Sequence, residues 1–253
     1  MRAATPLLLP PVLGLAACAV HEPLRGSLEG RIFNAAIAGD VTITQGGAPG
    51  SGTRLDLRDD LDLDGSTTLE LAGDVELAGV RAGLAWLPLS FDGAETLDRA
   101  ETFHGTTFPA GSRVKSELDL PTWRLRVDAP LLDDGRGALR AGLGAYWWTL
   151  DMELRDVDTG VSDSREFSRL LPAVTISSSW RVSRGVTAGF DAAFAAIDEG
   201  RRLWDFDATA RCSVHRGLTV HAGFRFRRYE LQEDTNDGVI DLFGPLVGMQ
   251  WRF

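Results

Sequence analysis

Seven side chains in the C-terminal third have types and spacing that could do chemistry: Asp191, Asp205, Asp207, Arg211, His221, Arg225 and Arg227. They sit at alternate positions of segments in which polar and apolar residues take turns. A tight turn His215-Arg216-Gly217 centred on Arg216 predicts Arg225 opposite Asp207, Arg227 opposite Asp205 and His221 opposite Arg211. A turn centred near Glu199 predicts Asp191 opposite Asp207, which puts Asp191, Asp207 and Arg225 in one row. Facing carboxylates can share a proton and work as acid or base. His221 could assist, although Arg211 opposite it disfavours the charged ring. The structural expectation weighs more. Opposed charges inside a narrow barrel fix one register, and each half is costly to leave unpaired. Arg124, Arg126, Asp128 and Arg140 would extend the network from neighbouring strands.

Asp60-Leu61-Asp62-Leu63-Asp64-Gly65 matches the first half of a calcium loop, which makes Asp60, Asp62 and Asp64 a weak metal candidate. The full loop needs a carboxylate at its twelfth position, where this sequence has Leu71. The Asp-Leu alternation equally suits a strand continuing from Leu55. Residues 234–238, Asp-Thr-Asn-Asp-Gly, read as a turn. His21 and His104 have no cysteine or histidine at metal-ligand spacing. No Gly-rich phosphate loop and no G-x-S-x-G is present. The expectation is therefore no catalytic motif and no cofactor.

The elements that must position these charges are strands. Period-2 alternation recurs along the chain, with turn signals between the runs. In the last stretch Phe243, Pro245, Val247, Met249, Trp251 and Phe253 share one face, with Leu246 an exception on the other. Short turns at 133–137, 183–185 and 215–217 each hold an Arg-Gly pair, and another tight turn is expected near 74–78. Longer acid-rich connections fall at 45–66, 92–112, 155–165 and 231–238, with a brief one at 198–201. This is the loop asymmetry of a membrane barrel. The reading is all-β: an antiparallel up-and-down transmembrane β-barrel of about ten strands, at 28–44, 67–75, 78–91, 113–131, 137–154, 166–182, 186–197, 202–214, 218–231 and 239–253. Eight strands is the alternative. Alternation alone does not separate a lipid-facing apolar surface from a soluble barrel with its apolar face inward. Trp147, Trp148, Trp180, Trp204 and Trp251 would suit an interfacial belt.

The chain has 253 residues and a formal net charge of −10. Its acidity argues against nucleic acid as a partner. Beyond the first 20 residues there is no run long and apolar enough for a membrane helix. Residues 1–17 have the form of a secretory signal, followed by a linker at 18–27 and the barrel at 28–253. Leu15-Ala16-Ala17-Cys18 resembles a bacterial lipobox, which implies acylation of Cys18. Cleavage after Ala17-Cys18-Ala19 without lipid is the other option, and a Cys18–Cys212 bridge is possible in an exported chain.

With its signal and its terminal strand ending Gln250-Trp251-Arg252-Phe253, the chain resembles small, monomeric outer-membrane β-barrels of Gram-negative bacteria. The segment Gly52–Asp60 is similar to one in uncharacterised members of such barrels. A lipobox departs from the usual pattern of the class. The resemblance implies residence in the outer membrane among lipid and lipopolysaccharide, and recognition of the C-terminal strand by barrel-assembly machinery. The expected role is structural or in surface interaction, with a charged, mostly filled lumen. A narrow pore for small or hydrophobic solutes, a membrane enzyme and a soluble ligand-binding barrel are the alternatives.

Overall fold

Alternating side chains make a strand two-faced, and a set of such strands closed into a ring has no unpaired edge. The computed structural model describes residues 24–44, 52–198, 201–233 and 236–253. The signal segment, Cys18 and the linker up to residue 23 lie outside the described residues. No helix occurs among the described residues. In chain order the strands are β1 (Arg25–Thr42), β2 (Arg54–Asp56), β3 (Ser66–Leu77), β4 (Val80–Leu87), β5 (Ser90–Thr96), β6 (Glu101–Phe103), β7 (Thr106–Phe108) and β8 (Arg113–Asp119). They continue with β9 (Thr122–Asp133), β10 (Gly137–Asp156), β11 (Ser162–Ser183), β12 (Val186–Asp198), β13 (Arg201–His215), β14 (Leu218–Glu233) and β15 (Asn236–Arg252).

β5 prolongs β4, and β9 prolongs β8, so the wall has ten strands, each antiparallel to its neighbours. β15 pairs with β1 from Ser27↔Arg252 to Thr42↔Asp237, which closes the ring. The eight-strand alternative is excluded. β1 starts at Arg25, ahead of the expected 28, and the first tight turn falls at Ala78-Gly79 rather than 74–78. Ala78 and Gly79 both have positive φ, 51° and 79°, as a two-residue hairpin turn of the primed type requires. In the 133–137 turn, Asp134 accepts hydrogen bonds from the backbone N–H of Gly137 and Arg136. Those two donors hold its carboxyl below the usual carboxylate range.

Strands of 20 and 22 residues in β10 and β11 are about twice what a membrane crossing needs. Their two halves have opposite polarity. Nearer the short turns, β10 points Leu143 and Trp147 outward and Arg140 inward. Further along, Asp151, Glu153 and Arg155 point outward while Leu150, Met152 and Leu154 are buried inside. The side-chain phase does not slip between them, so one strand is membrane-like at one end and like a soluble barrel at the other. β11 repeats the pattern, with Leu170, Val174, Ile176, Trp180 and Val182 outside and Glu166 and Ser164 beyond them. From Leu170 to Val182 the rise is roughly 40 Å along the strand, or roughly 30 Å after a tilt of about 40°, close to the apolar band of a membrane barrel.

Phe224, Met249 and Trp251 are 48%, 60% and 54% exposed, and Phe226 is half-buried on the same outer face. Trp147, Trp180 and Trp204 also face outward, but Trp148 does not. It is buried inside against Tyr229, with ring centroids 5.3 Å apart, and so leaves the expected belt. Leu246, the exception in the terminal alternation, is buried in the interior.

The connection expected at 45–66 does more than link strands. β3 begins only at Ser66, so the upper wall between β1 and β5 would be open. Residues 54–64 patch it: β2 pairs with Asp40–Thr42, Leu57 N–H donates to Gly39 O at 2.9 Å, and Asp64 N–H donates to Asp92 O. Leu55, Leu57, Leu61 and Leu63 point into the core, where Phe103 and Phe108 of the β6–β7 hairpin join them. Gly93 of β5 lets this patch approach. A Cβ there would lie 2.3 Å from Leu61 O and 2.4 Å from Asp62 O. Gly93→Ala is expected to cost about 1–3 kcal/mol by forcing the patch away. A lower urea midpoint, read from unfolding of the detergent-solubilised protein, checks it.

Candidate functional site

The polar inner faces of the lower half meet in one ionic layer across the barrel. Its register follows from the turns: Asp207↔Arg225, Asp205↔Arg227, Arg211↔His221 and Asp191↔Asp207 are cross-strand partners. Arg225 is fully buried and donates through Nε and Nη2 to both oxygens of Asp207, at 2.6 and 2.7 Å. The same Nη2 reaches Glu70 Oε2 at 2.9 Å. Arg227 Nη2 donates to Asp205 Oδ2 at 2.7 Å, and Tyr146 donates its hydroxyl to the same oxygen at 2.8 Å. Arg225 lies over the Phe33 ring and Arg227 over the Tyr146 ring, at 5.2 and 5.7 Å from the centroids. Aromatic faces thus meet guanidinium faces where the ionic layer gives way to the apolar core.

Asp191 and Asp207 do not form the proton-sharing pair considered above. Asp191 turns to Arg126, at 2.8 Å, and lies 3.7 Å from Arg211. Asp207 turns to Arg225 and to Arg31, the latter at 3.1 Å. Each carboxylate has arginine partners of its own, so the two are not placed to share a proton. His221 stands 3.1 Å from Glu29 Oε1, but the pair is not aligned for a hydrogen bond. Arg140 and Arg81 both reach Asp128, at 2.7 and 3.1 Å, and Arg124 lies 3.4 Å from Asp205. Sequence reasoning missed Glu29, Arg31, Glu70 and Tyr146. The signal was available on β1, whose inward positions run Ser27, Glu29, Arg31 and then Phe33, Ala35, Ile37.

The calcium candidate is not assembled. Asp62 and Asp64 are exposed, and Asp60 accepts from Asp56 N–H at 2.8 Å and lies 3.4 Å from Arg99. Leucines alternate inward here because they fill the core, and residues 57–61 form a turn rather than a continuation of the strand. No group of three or more metal-ligating side chains occurs among the described residues. At the outer rim, His104 Nδ1 lies 3.1 Å from Asp163 Oδ1, and Thr106 donates to Asp163 Oδ2 at 2.7 Å. These contacts dock the β6–β7 hairpin on the start of β11. Cys212 is exposed on the outer face of β13.

A closed, antiparallel, up-and-down ring of ten strands with an apolar girdle and a polar inner layer defines the class: an outer-membrane-type β-barrel. The fold is similar to that of the outer membrane protease OmpT from Escherichia coli, at TM-score 0.61 and 10% identity, over 90% of this chain and 97% of that chain. Lesser likeness extends to a major outer membrane protein from Thermus thermophilus, at TM-score 0.46 and 12% identity, over 92% of this chain and 100% of that one. The translocator domain of the autotransporter NalP from Neisseria meningitidis gives 0.43 and 11%, over 92% and 90%. At such identities the likeness describes the fold and nothing of activity. No family model and no curated relative matches the chain.

Proposed function

We propose that the protein is a sealed barrel of the Gram-negative outer membrane, with a structural or surface-interaction role, lipid and lipopolysaccharide around its girdle, and no catalytic activity. One observation carries this reading: the interior is filled twice over. Below, the space left among Arg124, Arg126, Asp128, Tyr146, Asp191 and Asp205 is about 10 Å³, enough for roughly one water. Above, the apolar core with the 54–64 patch closes the barrel. A solute would have to displace both layers. Beyond the girdle, strands with polar outer faces carry the acidic loops away from the lipid on a rigid support. The outward Trp251 and Phe253 support recognition of the C-terminal strand by assembly machinery, and the closed ring supports a monomer.

Reconstitution into planar bilayers tests the seal. The expected trace shows no conductance steps above the empty bilayer, and a steady single-channel current would overturn the reading. Fractionation tests the location: the chain should need detergent and change gel mobility on heating, and recovery as a freely soluble protein would refute it.

A further inference from the structure

At the short-turn end the interior opens into a cup of about 450 Å³, and the Glu29–Arg31 pair of the ionic layer follows along β1 beyond its Ser27 lining. Its polar lining is Arg25, Arg81, Arg211 and Arg252 against Asp74 and Glu76, with Ser27 and Gln250 between them. Four guanidinium groups face two carboxylates in a chain whose net charge is −10. The two acids are already engaged. Ser27 donates its hydroxyl to Asp74, and Glu76 lies 3.5 Å from Arg140.

Two of the cup arginines, Arg25 and Arg252, differ from those deeper in the barrel, whereas Arg81 is already held by Asp128 at 3.1 Å. Arg31, Arg124, Arg225 and Arg227 each have a carboxylate within 4 Å. Arg25 has no ion pair with a described side chain, although Glu76 is its cross-strand neighbour. Arg252 donates Nε to the neutral Gln250 Oε1 at 3.1 Å and reaches no side-chain carboxylate. Arg211 has only the 3.7 Å approach to Asp191. One row deeper, His221 is buried and neither ring nitrogen is hydrogen-bonded.

We propose that this cup binds a small multivalent oxyanion, one bearing two or more phosphate or carboxylate charges. Guanidinium forks suit such groups because they offer paired parallel N–H donors. The strands that line it, β1, β3, β4, β13 and β15, put a low-dielectric wall behind the arginines, which strengthens the attraction. The volume falls in the range of small-molecule sites, about 300–1,000 Å³. The cup opens along the barrel axis rather than through the wall, which favours a soluble anion over a lipid headgroup in the surrounding leaflet.

Calorimetric titration of the full chain in non-ionic detergent at low salt, with inorganic pyrophosphate as the probe, tests the proposal. One saturable site is expected, weakening as salt rises. Arg25→Ala and Arg252→Ala, both at the exposed mouth and outside the buried network, should each weaken binding about tenfold, the loss of one charge-assisted contact. Arg228→Ala on the outer wall should leave it unchanged, and nitrate should give no saturation. Absence of a saturable site for pyrophosphate overturns the proposal. So does binding that survives both mouth substitutions, or that falls as much with Arg228→Ala.

Discussion

Replacing Arg225 with alanine is expected to cost about 3–5 kcal/mol of stability, the range for breaking one side of a buried ion pair. The substitution strips both oxygens of Asp207 of their strongest donors and takes the 2.9 Å contact from Glu70. Both carboxylates are about 1% exposed, so water cannot replace what is lost. Arg31 remains at 3.1 Å from Asp207 and 3.7 Å from Glu70, and Arg124 at 3.9 Å from Glu70, which spreads two cations over carboxylates that had three. Urea unfolding in detergent micelles, followed by tryptophan fluorescence, measures the cost.

Arg228→Ala supplies the comparison. Arg228 makes two hydrogen bonds to Asp241, both at 2.6 Å, but sits part-exposed on the outer face, where loss of a pair costs about 1 kcal/mol or less. If Arg225→Ala costs no more than Arg228→Ala, the ionic layer does not hold the lower barrel together. A double variant, Arg225→Met with Asp207→Leu, should be less harmful than Arg225→Ala alone, because it removes the orphaned charge with its partner.

The sequence exposed the lower half of the barrel well. Tight turns with Arg-Gly pairs fix where each hairpin folds back, and a strand's period of two then dictates every cross-strand partner. The Asp207↔Arg225 row matches a turn centred on Arg216, although the structure reaches it through a two-residue turn, with His215 facing Leu218, and a one-residue register shift between Ser213 and His215. What did not follow is which arginine each carboxylate selects. Asp191 prefers Arg126, from a strand across the barrel, and that choice depends on diameter and side-chain reach rather than on register. The upper half was misjudged for a different reason. Alternation at Asp151, Glu153 and Arg155 looks the same as alternation at Leu143 and Trp147 until the two faces are known to exchange chemistry mid-strand. The same ambiguity hid the 54–64 patch, whose Asp-Leu repeat serves a turn that seals the wall.

Exchange of chemistry along one strand also gives the sharpest test of where water ends. Ile176 and Glu166 both point outward from β11, and both are exposed, Ile176 to 40%. In water, arginine at either position should change stability by no more than about 0.5 kcal/mol, the usual effect of a surface substitution. In a bilayer they should separate. Ile176 lies midway along the Leu170–Val182 girdle, flanked in register by Ala141 and Ala192, so Ile176→Arg places a charge near the hydrocarbon midplane. The cost there is about 2–4 kcal/mol. Glu166 stands above the girdle beside Asp151, and Glu166→Arg should be near neutral or mildly favourable by relieving that like-charge contact. Unfolding both variants from lipid vesicles by urea gives the difference directly. Equal midpoints would mean that Leu170, Val174, Ile176 and Trp180 face water or a protein partner, and the membrane assignment would fall even though the barrel stands. A separation of 2 kcal/mol or more, confined to the girdle position, has no source in the folded chain itself, because neither side chain contributes to the interior.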